Sequence, residues 1–149
     1  MDRYTFEISP DHLEYEFYSQ GPKGQIKKLV RFQPFETYDE QLVNLAFGDW
    51  NENTQSIDDA IVSNNDDADK VLATVAIIVL DYTTHFPDVV IYASGSTPSR
   101  TRKYQMGINQ RYNEIMVLFE IYGITKDDEI QLFIRSVNYA AFLVRRRAA

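Results

Sequence analysis

Between Asn64 and Pro87 the chain carries one broad apolar stripe at helical spacing, and that stripe limits what the rest can be. Val71, Leu72, Val75, Ile78, Val79, Tyr82 and Phe86 fall on one face of a helix. Asn64-Asn65-Asp66-Asp67 precedes it with cap-forming amides and with acids that favour the positive helix end. Pro87 stops it. Burying such a face contributes on the order of 10 kcal/mol before chain entropy is counted, at roughly 1.5–3 kcal/mol per large apolar side chain. A helix of this kind needs an apolar sheet or a partner helix to lie against.

The sheet is written ahead of it. Leu13, Tyr15 and Phe17 alternate with Glu14, Glu16 and Tyr18, the period of a half-buried strand. Gly21-Pro22-Lys23-Gly24 is a turn by composition, and Gln25 to Phe35 supplies the partner strand. In that strand Ile26, Val30 and Phe32 share a parity with Lys28, while Leu29 opposes them beside Lys27 and Arg31. A third strand runs over about Gln41 to Asp49, with Leu42, Asn44 and Ala46 opposite Val43, Leu45 and Phe47. A polar stretch rich in Asn, Asp and Ser then continues through Asn65 and reads as loop.

After the first helix, Asp88 to Ala93 reads as a fourth strand. The second helix begins near Thr97, with Pro98 at its first position. Tyr104, Ile108, Tyr112, Ile115, Phe119 and Tyr122 form its core stripe, and Gly123 its left-handed stop. Arg100, Lys103, Gly107 and Arg111 repeat on a wetter face. In the tail, Tyr139 to Val144 is the best strand candidate. The expected fold is one α+β domain over residues 1–149. It has a single layer of mostly antiparallel sheet and two long helices packed on one face, in the order β-β-β-α-β-α-β.

Composition removes several function classes. The chain has no cysteine, which excludes disulfides, thiolate metal sites and a cysteine nucleophile. With no basic–apolar leader at the N-terminus, it reads as a cytoplasmic protein. The longest apolar stretch, Val71 to Leu80, is about half the roughly 20 residues that a membrane span needs, so no membrane association is expected. Net charge is −7, unevenly spread. Residues 1–99 hold 6 basic and 17 acidic side chains, or −11, whereas residues 100–149 hold 9 and 5, or +4. An acidic chain repels polynucleotides at long range, so nucleic-acid binding would need a local basic patch.

Several stretches taken together carry a resemblance. They are Gly21-Pro22-Lys23-Gly24, Leu45-Ala46-Phe47-Gly48-Asp49, Ser63-Asn64-Asn65-Asp66-Asp67, Val71-Leu72-Ala73-Thr74-Val75-Ala76, and Gly95-Ser96-Thr97 through Arg100-Thr101-Arg102-Lys103-Tyr104. Over most of its length the chain resembles a family of small bacterial proteins known only as a domain of unknown function. The resemblance implies an intact domain, and it implies no reaction, cofactor or partner.

The segment most suited to function is Val89 to Arg102, where an apolar strand breaks at small residues and a helix opens with arginines. A helix start leaves backbone amides free and suits a bound anion. The candidate ligand-binding residues are Gly95, Ser96, Thr97, Ser99, Arg100, Arg102 and Arg111. Gly95 permits close backbone approach, the hydroxyls donate, and the arginines clamp phosphate oxygens. The spacing matches neither a P-loop nor a dinucleotide fingerprint. The same residues also fit a tight turn with an N-cap. The expected function is a small binding module for a phosphate-bearing ligand or nucleic acid, with Arg145 to Arg147 extending a basic track. The alternative is a protein-interaction module or homodimer without a small ligand. A third reading, a metal-dependent phosphoesterase, needs two or three of Asp49, Asp58, Asp59, Asp66, Asp67 and Asp69 to meet near Arg100. No catalytic residue, metal ligand or cofactor is assigned.

Overall fold

The computed structural model describes residues 2–35, 41–58 and 65–148. The predicted Leu13–Tyr18 and Gln25–Phe35 strands pair as a hairpin, Glu14–Gly21 (β2) with Gly24–Pro34 (β3), after a two-residue strand Glu7–Ile8 (β1). Pro22 and Lys23 form the tip, and Gly24 takes the left-handed φ of +83° that favours glycine. The third strand, Leu42–Asn51 (β4), pairs antiparallel with β3. The stretch expected to be all loop holds a short strand, Ser56–Asp58 (β5), which folds back on the end of β4. Residues 59–64, including Asn64 and Asp59, lie outside the described residues.

The long helix is Ala68–His85 (α1), and it leads into strand Val90–Ala93 (β6). The second helix ends earlier than its apolar spacing suggests. Pro98–Gln110 (α2) breaks at Arg111, a helix of about two turns, Tyr112–Leu118 (α3), follows, and Phe119–Ile124 is a strand (β7). Phe119 and Ile121 are buried on one side of that strand while Glu120 and Tyr122 occupy the other. Residues 115, 119 and 122 match a helix as well as 119, 121 and 123 match a strand, and pairing on both sides decides it. Gly123 is therefore no helix stop: it lies within β7, where a Cβ would sit 2.2–2.4 Å from the Tyr139 ring. The chain closes with Ile130–Leu132 (β8) and Ala141–Arg146 (β9).

The fold is α+β; the described residues form nine strands in one mostly antiparallel sheet, in the order β1-β2-β3-β4-β6-β9-β7-β8 and with β5 beside β4. Only β4 and β6 run parallel among the pairs described. Tyr15, Phe17, Val30, Phe32, Val43 and Ile91 point from the sheet into one core with Val71, Ile78, Val79, Tyr82 and Ile115 of the helices. The Phe32 and Tyr82 rings stack at 3.8 Å. Two strands share one edge of β4: β6 pairs with Leu42–Leu45, and β5 pairs with Asp49–Asn51. Ala46 to Gly48 lie between those two pairings, and the sheet opens there.

Candidate functional site

The turn before α2 is built as an N-cap. The Thr97 side chain accepts from the Arg100 amide at 3.3 Å, and its carbonyl accepts from the Thr101 amide at 3.1 Å. The Gly95 amide donates to Thr101 Oγ1 at 2.9 Å. Gly95 does allow a close approach, but to the helix itself: a Cβ there would lie 2.5 Å from the Thr101 nitrogen. Ser96 accepts a hydrogen bond from the Arg100 guanidinium. Ser96, Thr97 and Ser99 are exposed. The amide donors of this corner thus largely serve Thr97 and Thr101.

The two arginines part company. Arg100 lines a cleft of about 530 Å³ that opens between α2, the start of α1 and the β4–β5 end of the sheet. Lys103, Tyr104 and Gly107 follow Arg100 along the same side of α2 and line the same cleft. Arg102 is exposed and is not part of that lining, because residues two apart on a helix face different ways. Arg111 is elsewhere too. It pairs with Asp69 at 2.8 Å and approaches Glu114 at 3.8 Å, tying the end of α2 to the first turn of α1. The three terminal arginines are likewise engaged: Arg145 with Glu120 at 2.6 Å, Arg146 with the Leu80 carbonyl at 3.1 Å, and Arg147 with the Met116 carbonyl at 2.5 Å.

The cleft floor comes from the row Lys28, Asp49 and Asp58 across β3, β4 and β5, which buried Phe17 of β2 continues into the core. Lys28 and Asp49 form an ion pair with side chains 9% and 15% exposed. Strand parity anticipates an inward Lys28, but nothing in the sequence says that Asp49 stands opposite it. Phe47, Val71, Leu72 and Met106 give the cleft an apolar wall.

Acids gather at the same place. Asp49, Asp58, Asp67 and Asp69 all line the cleft with Arg100, which spacing alone does not disclose. Each is already employed in some way. Asp67 Oδ2 accepts from the Tyr4 hydroxyl at 2.6 Å and from Ser19 at 2.5 Å, and burial together with this carboxylate raises the Tyr4 pKa. Asp67 occupies the N-cap position of α1 without capping it through its side chain. Among the described residues no three His, Asp or Glu side chains converge as a metal-binding group.

The two histidines and the strand aromatics pack or cap. His85 Nδ1 lies 3.1 Å from the Asp81 carbonyl, and its ring meets that of His12 at 4.1 Å. Tyr15, Phe17 and Phe32 are core side chains, whereas half-buried Phe47 reaches the cleft. Among the described residues no helix is long and apolar enough to cross a membrane.

Comparison with curated proteins and with solved structures finds no match. A family model does match, and it covers residues 1–147. The chain that builds this cleft belongs to DUF6934, a family of unknown function.

Proposed function

We propose that this protein is a binding module for a small phosphate-bearing ligand, and that the ligand enters the cleft beside α2. The observation that carries the reading is the placement of Arg100 and Lys103 on one wall of a 530 Å³ concavity that also holds an apolar stretch, Phe47, Val71 and Leu72, beside the engaged carboxylates of Asp49, Asp58, Asp67 and Asp69. That volume falls in the range of small-molecule sites, in which a few polar groups orient a mostly apolar contact. Arg100 would hold phosphate oxygens through its forked donors, and Lys103 would add a mobile charge at the rim. The Thr97 cap and the Thr101–Gly95 hydrogen bond fix the start of the helix that presents them. Gly95, Ser96, Thr97 and Ser99 then act as the frame of the site, and Arg111 as its brace against α1.

A small ligand suits the charge distribution better than a polynucleotide. Arg102 faces away from the cleft lining, and Arg111, Arg145 and Arg147 are paired with carboxylates, so the late basic residues make no continuous track. The cysteine-free composition supports a cytoplasmic setting.

Isothermal titration of the protein with inorganic phosphate, methyl phosphate and a nucleoside monophosphate tests the reading. Binding that falls with added salt and is lost in Arg100→Ala/Lys103→Ala, with the thermal midpoint unchanged, is the expected result. Equal affinity in the double variant would overturn it.

One observation favours the interaction reading. At the β8 edge of the sheet Ile130, Leu132 and Ile134 are 61%, 65% and 48% exposed, and Leu132 continues a row with Tyr122, Leu143 and Tyr92 across β7, β9 and β6. Sedimentation equilibrium that gives a dimer, abolished by Leu132→Lys and indifferent to phosphate esters, would support it.

A further inference from the structure

Behind the cleft lies a second space, smaller and almost wholly apolar. It has a volume of about 140 Å³ and sits between the sheet and all three helices. Phe47, Leu72, Tyr104 and Gly107 line both spaces, so the two share a wall. Leu45, Val75, Ala76 and Ile108 are among the side chains that surround the inner one.

Two features mark this wall. Gly107 stands inside α2, where glycine costs about 1 kcal/mol relative to alanine. A Cβ there would meet Leu72 Cδ1 at 2.6 Å, so the glycine keeps the partition between the two spaces thin. The second feature is Arg111, whose side chain is 17% exposed and which lines the inner space. Its Nε is buried and lacks a hydrogen-bond partner. An unsatisfied donor beside an apolar cavity is unfavourable unless an acceptor arrives with a ligand or water.

We infer that the ligand is an amphipathic phosphate ester: its phosphate rests at Arg100 and Lys103, and a compact alkyl or aryl group passes the Gly107–Leu72 partition into the inner cavity. The inference rests on the function proposed above and narrows it. An apolar cavity of about this volume accommodates a benzene-sized group. A water carried into the inner cavity with the ligand would offer Arg111 Nε its acceptor. Apart from Arg111, Ser94 and Tyr104 the side chains around the inner space are apolar, so selectivity follows the size of the apolar group.

The experiment is a calorimetric series with methyl, butyl and phenyl phosphate on the unchanged protein and on Ala76→Leu, which fills the cavity from α1. In the unchanged protein each methylene that enters the cavity raises affinity about fourfold. Butyl and phenyl phosphate therefore bind at least tenfold more tightly than methyl phosphate. Ala76→Leu removes that gain and leaves methyl phosphate where it was. A flat series in which methyl phosphate still binds overturns the inference and leaves the phosphate site standing. Failure of all three esters to bind overturns both. Should Ala76→Leu not fold, the series on the unchanged protein decides alone.

Discussion

Asn65 Oδ1 accepts a 2.7 Å hydrogen bond from the backbone amide of Lys23, across 42 residues of chain. The Asn65 amide also donates to the Gly24 carbonyl at 2.9 Å and to Ser19 Oγ at 3.1 Å. One buried side chain thereby clasps the β2–β3 turn to the segment that starts α1, at the end of the cleft. Gly21 is required because a Cβ there would lie 2.0 Å from the Asn65 carbonyl oxygen. Asn65→Ala is expected to cost about 1–3 kcal/mol in urea denaturation, since it strands polar groups on both sides. Gly21→Ala should cost at least as much. A loss below about 0.5 kcal/mol in Asn65→Ala would mean that the clasp is incidental.

Glu120 provides a pH test. Its hydrogen bond from Arg145, reinforced by charge, holds its carboxyl below the ordinary glutamate value of 4.5. A depressed folded-state pKa adds stability that is present above 4.5 and is lost as pH falls through the lower folded value. Asp11 acts in the same direction, through hydrogen bonds from Ser9 and the Leu13 amide. Glu120→Gln should therefore flatten the acid limb of a plot of thermal midpoint against pH, with no change in slope above neutrality. An identical acid limb in the variant would remove Glu120 from the account.

The tail-on-strand contact at Gly123 gives a third test. Alanine there drives a methyl group into the Tyr139 ring, whose hydroxyl is held by Gln131 at 2.8 Å and by the Ile134 amide at 3.0 Å. The ring has little room to retreat. Gly123→Ala is expected to destabilise by about 1–3 kcal/mol through overpacking, read as a fall in the thermal midpoint. A neutral substitution would mean that Tyr139 swings aside freely.

These contacts mark how far the sequence could be read. Alternation in Leu13–Tyr18 and Gln25–Phe35, the Gly-Pro-Lys-Gly tip and the α1 stripe each express one local periodicity, and all of them are found in the fold. The end of α2 was ambiguous because Phe119 and Tyr122 satisfy helical spacing, and pairing with β9 and β8 settled the matter. The apparent capping residues Asn65 and Asp67 were misleading for a similar reason. Their side chains serve distant groups, Lys23 and Gly24 for one, Tyr4 and Ser19 for the other. At the site Arg100 and the acids were visible as residue types, but their meeting depends on β4 being shared by β5 and β6.

The Lys28–Asp49 pair is expected to serve the cleft more than stability. Lys28→Met leaves Asp49 without its partner and should cost about 3 kcal/mol. Lys28→Met with Asp49→Leu should come back to within about 1 kcal/mol of the unchanged protein, because apolar replacement of a buried pair is often neutral. A double-mutant cycle in urea measures this. A double variant as unstable as the single one would show the row Phe17, Lys28, Asp49 and Asp58 to be a structural necessity.

The claim that a phosphate group occupies the cleft is tested most directly by following backbone amide resonances during titration with methyl phosphate. The account expects saturable shifts at Phe47, Arg100, Lys103 and Tyr104, with Arg102 and Ile130 to Leu132 unmoved. Shifts confined to Arg145 to Arg147, or none at the cleft residues at saturating ester, would contradict it.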